Sequence, residues 1–311
     1  NVRMRVLTDI ISGASAGGIN GVFLAQAITS GQSLEPLTDL WLRNADVETL
    51  IDPDARPLSR FSKFWATPIA WAILRRRGGA VDQSVAEEAK DEVATKLSRF
   101  VRARWFKPPF GGREFSRLLL DAMQSMAATG DGRSLLPKGQ PLDLFVTVTD
   151  FRGHSETLRL NSPAFVTETE HRISIGFSTR GGGSLAHVAE LVFAARATAS
   201  FPGAFPPFSV GELDGLLKVT KTVWDSREAF LRRILPQHYA AGTVDEALLI
   251  DGSVLANAPF SQAIDALRNR PARREVDRRF VYIDPKPGLP SFRLRRREGD
   301  GEKPKIRTPG F

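Results

Sequence analysis

Two spacings of apolar residues alternate along this 311-residue chain. Residues 6–11 form a short β-rich run that leads straight into Ser12-Gly13-Ala14-Ser15-Ala16-Gly17-Gly18, and residues 19–28 then carry apolar side chains at helical spacing. The segment reads as strand, sharp turn, helix. Residues 35–128 read as mostly helical, with helices predicted over 35–43, 61–74, 82–105 and 113–126, and with Pro108, Pro109, Gly111 and Gly112 separating the last two. From residue 142 the texture changes to short β-branched runs, which predict strands at 144–150, 156–160 and 172–177. A helix is predicted over 184–199 and is stopped by the three prolines of residues 201–208. Residues 212–244 read as an insertion with a helix near 226–235. A short buried strand at 247–250, a proline-opened helix at 259–267 and a last strand at 280–283 complete the reading.

Short apolar strands alternating with helices imply an α/β fold: a three-layer α/β/α sandwich with a largely parallel central sheet and helices on both faces. The length suits one large domain, expected over residues 1–290, and residues 291–311 are rich in arginine, glycine and proline, as a basic flexible tail or linker would be. Residues 1–7 carry neither an initiating methionine nor an apolar signal core, so the native N-terminus is expected to have been removed or left out.

Composition narrows the classes. Hydrophobic residues make up 42% and charged residues 25%, which excludes a mainly disordered chain. The net charge of +8, with arginines crowded at 75–77 and 293–297, favours anionic partners, phospholipid surfaces and nucleic acids alike. Neither an RNP-like aromatic strand nor a helix-turn-helix pattern is present, so no nucleic-acid partner is expected. The absence of cysteine excludes disulfides, thiolate-held metals and a thiol nucleophile. The longest apolar run, residues 64–74, falls short of the roughly 20 residues that span a bilayer. It reads as a buried core helix, or, with Trp65, Trp71 and its basic flanks, as a segment that dips into an interface. A soluble or peripheral location follows, with the cytoplasm favoured.

The chemistry centres on Gly13-Ala14-Ser15-Ala16-Gly17, a G-x-S-x-G placed after a strand and before a helix. Such a turn pushes the serine side chain clear of the sheet, the glycines remove Cβ atoms that would clash, and the helix N-terminus favours developing negative charge. A serine hydroxyl needs a base. The chain has four histidines, His154, His171, His187 and His238. The order serine, acid, histidine found in common α/β hydrolases leaves Asp150 with His238 as the pairing to consider, although His238, inside the insertion, also reads as an ordinary surface histidine. The alternative base is Asp251, at the end of the 247–250 strand and followed by Gly252 and Ser253; its competing reading is a turn residue that caps the next segment. No His/Asp/Glu cluster shows ligand spacing along the chain, so no metal and no cofactor is expected.

The elbow, the Asp251-Gly252-Ser253 motif with Asn257-Ala258-Pro259 after it, and the intervening Ala195-Arg196-Ala197-Thr198-Ala199-Ser200-Phe201-Pro202 together resemble the patatin-like phospholipases. The resemblance runs from about residue 6 to residue 285. It implies a Ser-Asp dyad without histidine, with Ser15 as nucleophile and Asp251 as general base, and the helix ending at Phe201-Pro202 lying against the elbow. Within that helix Arg196 and Thr198 read as packing and capping residues. The resemblance also implies a lipid acyl hydrolase, phospholipase A or a broader esterase, working on lipid esters through an acyl-enzyme, with peripheral contact to an anionic membrane. The family usually has glycine or alanine where this chain has Ser253, and it carries a glycine-rich oxyanion loop before the elbow that does not fall within these 311 residues. Arg180-Gly181-Gly182-Gly183 resembles that loop but lies between the two motifs and reads as a surface loop. The alternative function is a catalytically silent lipid- or membrane-binding protein of the same fold. Acyl chain preference, transfer to acceptors other than water and oligomeric state have no signature in the sequence.

Overall fold

The computed structural model describes residues 6–44, 108, 110–256, 259–271 and 276–283. The helices expected over 61–74 and 82–105, the apolar run 64–74, the arginines at 75–77, residues Asn257 and Ala258, and the tail from 291 lie outside the described residues. Two units divide the chain, Asn1–Pro271 and Ala272–Phe311. In the second, the described residues are irregular, with Val281 and Ile283 exposed, so the strand expected at 280–283 is not formed. Four residues of β propensity become a strand only where a ladder partner receives them.

The first unit opens with β1 (Ile10–Gly13) and α1 (Ala16–Ser30), followed by α2 (Glu35–Asn44) and α3 (Gly112–Ala128). Next come β2 (Leu142–Arg159), β3 (Phe165–Thr179) and α4 (Val188–Thr198). The expected insertion contains three helices rather than one: α5 (Val210–Thr220), α6 (Arg227–Ile234) and α7 (Pro236–Ala241). The short β4 (Leu249–Asp251) and α8 (Phe260–Ala266) complete it. The α/β class expected from the alternation is the one the chain adopts.

Sequence explains the local choices. In α3 the buried residues Phe115, Leu118, Leu119, Ala122, Met123 and Met126 recur every three or four positions, one apolar stripe against a polar face. By contrast, every residue of α4 from Ala189 to Thr198 is buried, and its alanines let neighbouring elements approach from several sides. Phe193 anchors the insertion to α4. Its ring meets Phe208 at 4.8 Å and Phe230 at 5.3 Å, both edge-on, the arrangement aromatic quadrupoles favour. Helix α1 ends where Gly31 adopts φ 73° and returns its N–H to the Ala27 carbonyl, a left-handed cap that glycine adopts without a Cβ clash.

The sheet decides where the chemistry sits. The runs predicted at 144–150, 156–160 and 172–177 merge into two long antiparallel strands, β2 and β3, paired from Leu142–Thr179 to Arg159–Phe165 with a register shift between Thr149 and His154. Along its first half β2 is covered on one edge by β3, so β1 and β4 share the other edge. There β1 runs parallel to β2 and ends with Gly13 opposite Val146, while β4 runs antiparallel and ends with Asp251 opposite Val148. The two strands therefore point their C-terminal ends at each other, two residues apart along β2.

Candidate active site

The elbow forms where the glycine pattern places it. Ser15 sits between β1 and α1 at φ 54°, ψ −129°, a conformation rare for a residue with a Cβ and costing on the order of 1–3 kcal/mol. Its surroundings hold it there. The Ser15 N–H donates to Thr198 Oγ1 at 2.9 Å, and Thr198 in turn donates to the Thr147 carbonyl at 2.7 Å, tying the elbow to β2 through a fully buried hydroxyl. Thr198 thus caps the elbow itself, beyond its place at the end of α4.

Space at the elbow is measured by its glycines. A Cβ on Gly13 would lie 2.4 Å from the Gly17 carbonyl oxygen, and one on Gly18 would lie 2.7 Å from Thr198 Cγ2. Gly17, by contrast, has open space where a Cβ would be; it and Ala16 are exposed, which leaves the approach to Ser15 clear. In the first turn of α1 the Gly18 N–H donates to the Ala14 carbonyl and the Ile19 N–H to the Ser15 carbonyl. The Ala16 and Gly17 amides before them stand at the positive end of the helix dipole, where they are donors suited to a developing oxyanion.

Asp251 arrives from the opposite direction. The sequence put it at the end of a short strand; the structure brings that end to the elbow head-on, from the antiparallel β4. Its carboxylate is fully buried, with both oxygens engaged: Oδ2 accepts from Ser15 Oγ at 2.5 Å and Oδ1 from the Ser253 N–H at 2.8 Å. The first distance is at the short end expected of an O–H···O⁻ bond. Gly252 permits this position because a Cβ there would stand 2.1 Å from the Thr147 carbonyl oxygen. The Asp251 N–H donates to the Ser200 carbonyl, so β4 is also tied to the end of α4. Pro259 is held beside the elbow by the Ser12 hydroxyl, which donates to its carbonyl at 2.8 Å.

Arg196 completes the support behind the site. Fully buried, it pairs with Glu212 at 2.9 Å and bonds to Ser200 Oγ and to the Gly112 and Pro206 carbonyls, which joins α4, α3 and α5. Burial pushes its guanidinium below the ordinary value, and the Glu212 carboxylate pulls the other way. Its part is the packing one expected of it.

Two expectations drawn from the sequence change. Asp150 and His238 do meet, Nε2 to Oδ2 at 2.7 Å, but Ser15 Oγ bonds to Asp251, and among the described residues no histidine bonds to it. His238 is buried rather than a surface residue, because α7 turns it inward onto β2. Asp150, His154 and His238 also gather their ligand-type atoms within 4.8 Å of one another, a cluster that spacing along the chain conceals because His238 arrives from the insertion. Finally, the Gly183 N–H bonds to the Thr29 carbonyl at the far end of α1, so the Arg180–Gly183 loop stands about 20 Å along that helix from Ser15.

Next to the elbow the described residues Ala16, Ile19, Asn20 and Trp41 line a cavity of about 320 Å³. No helix among the described residues is long and apolar enough to cross a membrane.

A mixed sheet clad in helices, with a serine elbow meeting a buried aspartate, defines an α/β protein built around a hydroxyl–carboxylate pair. Residues 1–264 match the family described as patatin-like phospholipase, and the chain belongs to that family. It is also 26% identical over 286 residues to the uncharacterized membrane protein Rv3479 of Mycobacterium tuberculosis (strain ATCC 25618 / H37Rv), a match covering 92% of this chain and 22% of that protein. The chain thus spans about a fifth of the length of this curated relative. No solved structure matches the chain significantly.

Proposed function

We propose that the protein is a lipid acyl hydrolase, a phospholipase A or broader esterase, with Ser15 as nucleophile and Asp251 as general base. The observation that carries this reading is the 2.5 Å bond between Ser15 Oγ and Asp251 Oδ2, within reach of direct proton transfer and made by a serine in a strained elbow. Asp251 Oδ2 takes the hydroxyl proton as Ser15 Oγ bonds to the ester carbonyl carbon. The Ala16 and Gly17 amides at the start of α1 are the donors available to the resulting oxyanion, with the helix dipole behind them. As the tetrahedral species collapses, the leaving alcohol takes the proton from Asp251, leaving an acyl-serine. Water, giving its proton to the same carboxylate, then attacks the acyl carbon, and as the fatty acid leaves Asp251 returns that proton to Ser15 Oγ.

Ile19 and Trp41 give the neighbouring cavity an apolar wall suited to an acyl chain. Val254, Leu255, Phe260 and Ile264 are exposed just beyond Asp251, and apolar side chains beside a reactive pair favour a substrate presented at a lipid surface. The net charge of +8 favours an anionic one.

The test is labelling with a fluorophosphonate probe, followed by a panel of phospholipid and simple esters. Labelling of the wild type that disappears in Ser15→Ala and falls steeply in Asp251→Asn, with fatty acid released from the panel, supports the dyad. Labelling that survives Asp251→Asn but is lost in His238→Ala would establish a histidine triad instead, and a folded wild type that neither labels nor cleaves any ester would point to a lipid-binding protein without catalysis.

A further inference from the structure

Three of the four histidines in the chain converge on one residue, Asp150 of β2. Its carboxylate is fully buried, and among the described residues no lysine or arginine pairs with it. One oxygen, Oδ1, accepts the Arg152 N–H at 3.2 Å. The other, Oδ2, faces two imidazoles, His238 Nε2 at 2.7 Å and His154 Nδ1 at 3.4 Å. His171 donates from Nδ1 to the Asp150 carbonyl at 2.7 Å and fixes the backbone at this point.

A regular strand cannot produce this. Residues four apart in a strand are separated by about 13 Å, so His154 would lie well away from Asp150. The register shift between Thr149 and His154 sets extra residues of β2 against β3 as a bulge that bends the strand, and it turns on Gly153 at φ 75°. A Cβ there would lie 2.4 Å from Thr169 Cγ2 and 2.7 Å from the His171 ring, so the bulge accepts glycine alone. The third group comes from α7, which begins at Pro236 and turns His238 inward; Thr243 Oγ1 holds its other nitrogen, Nδ1, at 3.1 Å.

We propose that Asp150, His154 and His238 form a binding site for a divalent transition-metal ion of the zinc class, separate from the Ser15–Asp251 pair. Two imidazole nitrogens and one carboxylate oxygen are a ligand set that such ions take, with a remaining position for water. Bonds of about 2 Å in tetrahedral array put ligand atoms about 3.3 Å apart. The distances of 2.7 and 3.4 Å bracket that value, and the third pair lies within 4.8 Å, so small side-chain rotations suffice. Thr243 on the far nitrogen of His238 is the kind of outer partner that orients a ligating imidazole. The His154 and His238 side chains each keep 11% exposure, which leaves a way in for the ion and room for the water. An ion here would tie α7 to β2 two residues from Val148, the partner of Asp251, and so brace β4 from the side opposite the elbow.

The experiment uses the full chain, stripped with a chelator, folded by circular dichroism, and titrated with zinc chloride by calorimetry, with bound metal measured after dialysis. One zinc per chain is expected, with a rise in melting temperature that the chelator reverses. Cobalt(II) in its place should give the visible absorption of a low-coordinate nitrogen and oxygen site. His154→Gln and His238→Gln should each weaken binding by at least the roughly 10–100-fold that loss of an outer partner costs. Should His238→Gln fail to fold, the partly exposed His154 carries the comparison. A folded wild type that takes up no stoichiometric zinc, or uptake unchanged in His154→Gln, overturns the proposal.

Discussion

Replacing Thr198 with valine tests whether the elbow is held by hydrogen bonding or by shape alone. Valine is nearly isosteric, so the methyl packed against Gly18 stays while the hydroxyl that joins the Ser15 N–H to the Thr147 carbonyl is lost. Each buried group left without a partner costs about 1–3 kcal/mol; with the half-buried elbow amide at the low end, the total is about 2–4 kcal/mol. For a domain of this size that lowers the melting temperature by about 10 °C. Ser15 also loses the bond that holds its strained backbone, and a misplacement of about 1 Å at a reacting group can cost on the order of 100-fold in rate. Thr198→Ser is the control: it keeps both bonds and loses one methyl, at about 1 kcal/mol. Thermal melts followed by circular dichroism and the rate of fluorophosphonate labelling read the two consequences. Thr198→Val is expected to melt lower and label at least tenfold more slowly (about 1.4 kcal/mol), with Thr198→Ser close to wild type. A valine variant matching the wild type in both would refute the argument, since nothing but the hydroxyl distinguishes the two side chains.

Gly252→Ala places a Cβ 2.1 Å from the Thr147 carbonyl oxygen, so β4 must separate from β2, and little folded protein is expected in a soluble-expression and circular-dichroism comparison. Ser253→Ala keeps the N–H that Asp251 accepts and should fold normally, although the two substitutions are neighbours in the same motif. At the surface, hydrogen bonds from Arg172 bring the Glu170 carboxyl down to about 2 from its ordinary 4.5. A depressed acid contributes stability above its unfolded value and loses it as pH falls from about 4.5 toward 2, a small contribution here because Arg172 is solvent-exposed. An NMR titration should find Glu170 well below the other glutamates and near the ordinary range in Arg172→Gln; an unshifted Glu170 in the wild type would contradict the pairing.

Much of the site was written in local pattern. A β-rich run, glycines at 13, 17 and 18 and an apolar helix directly after them can form few things other than an elbow; the clash that Gly13 avoids is with Gly17 four residues on, whereas the approach that Gly18 admits, that of Thr198, comes from across the chain. Asp251 was legible in the same way, as a carboxylate closing a short apolar strand with a glycine after it. The α/β alternation and the apolar stripe of α3 likewise rest on periodicity, a property of neighbouring residues.

What sequence could not determine was anything set by pairing across the chain. The direction of β4 and its head-on meeting with β1 depend on which edge of β2 was left open by β3, and no residue in Leu249–Asp251 encodes that. Thr198 reads as a helix end in sequence and becomes the support of the elbow only because α4 lies 183 positions away in the chain but in contact with it. The histidines around Asp150 show the same limit more sharply: a strand bulge and an inserted helix bring together side chains whose spacing along the chain carries no signal. Local rules choose elements, since helical and strand periodicity cost nothing beyond neighbouring residues; tertiary packing chooses which elements share an edge, and that choice assembled both the Ser15–Asp251 pair and the cluster on Asp150.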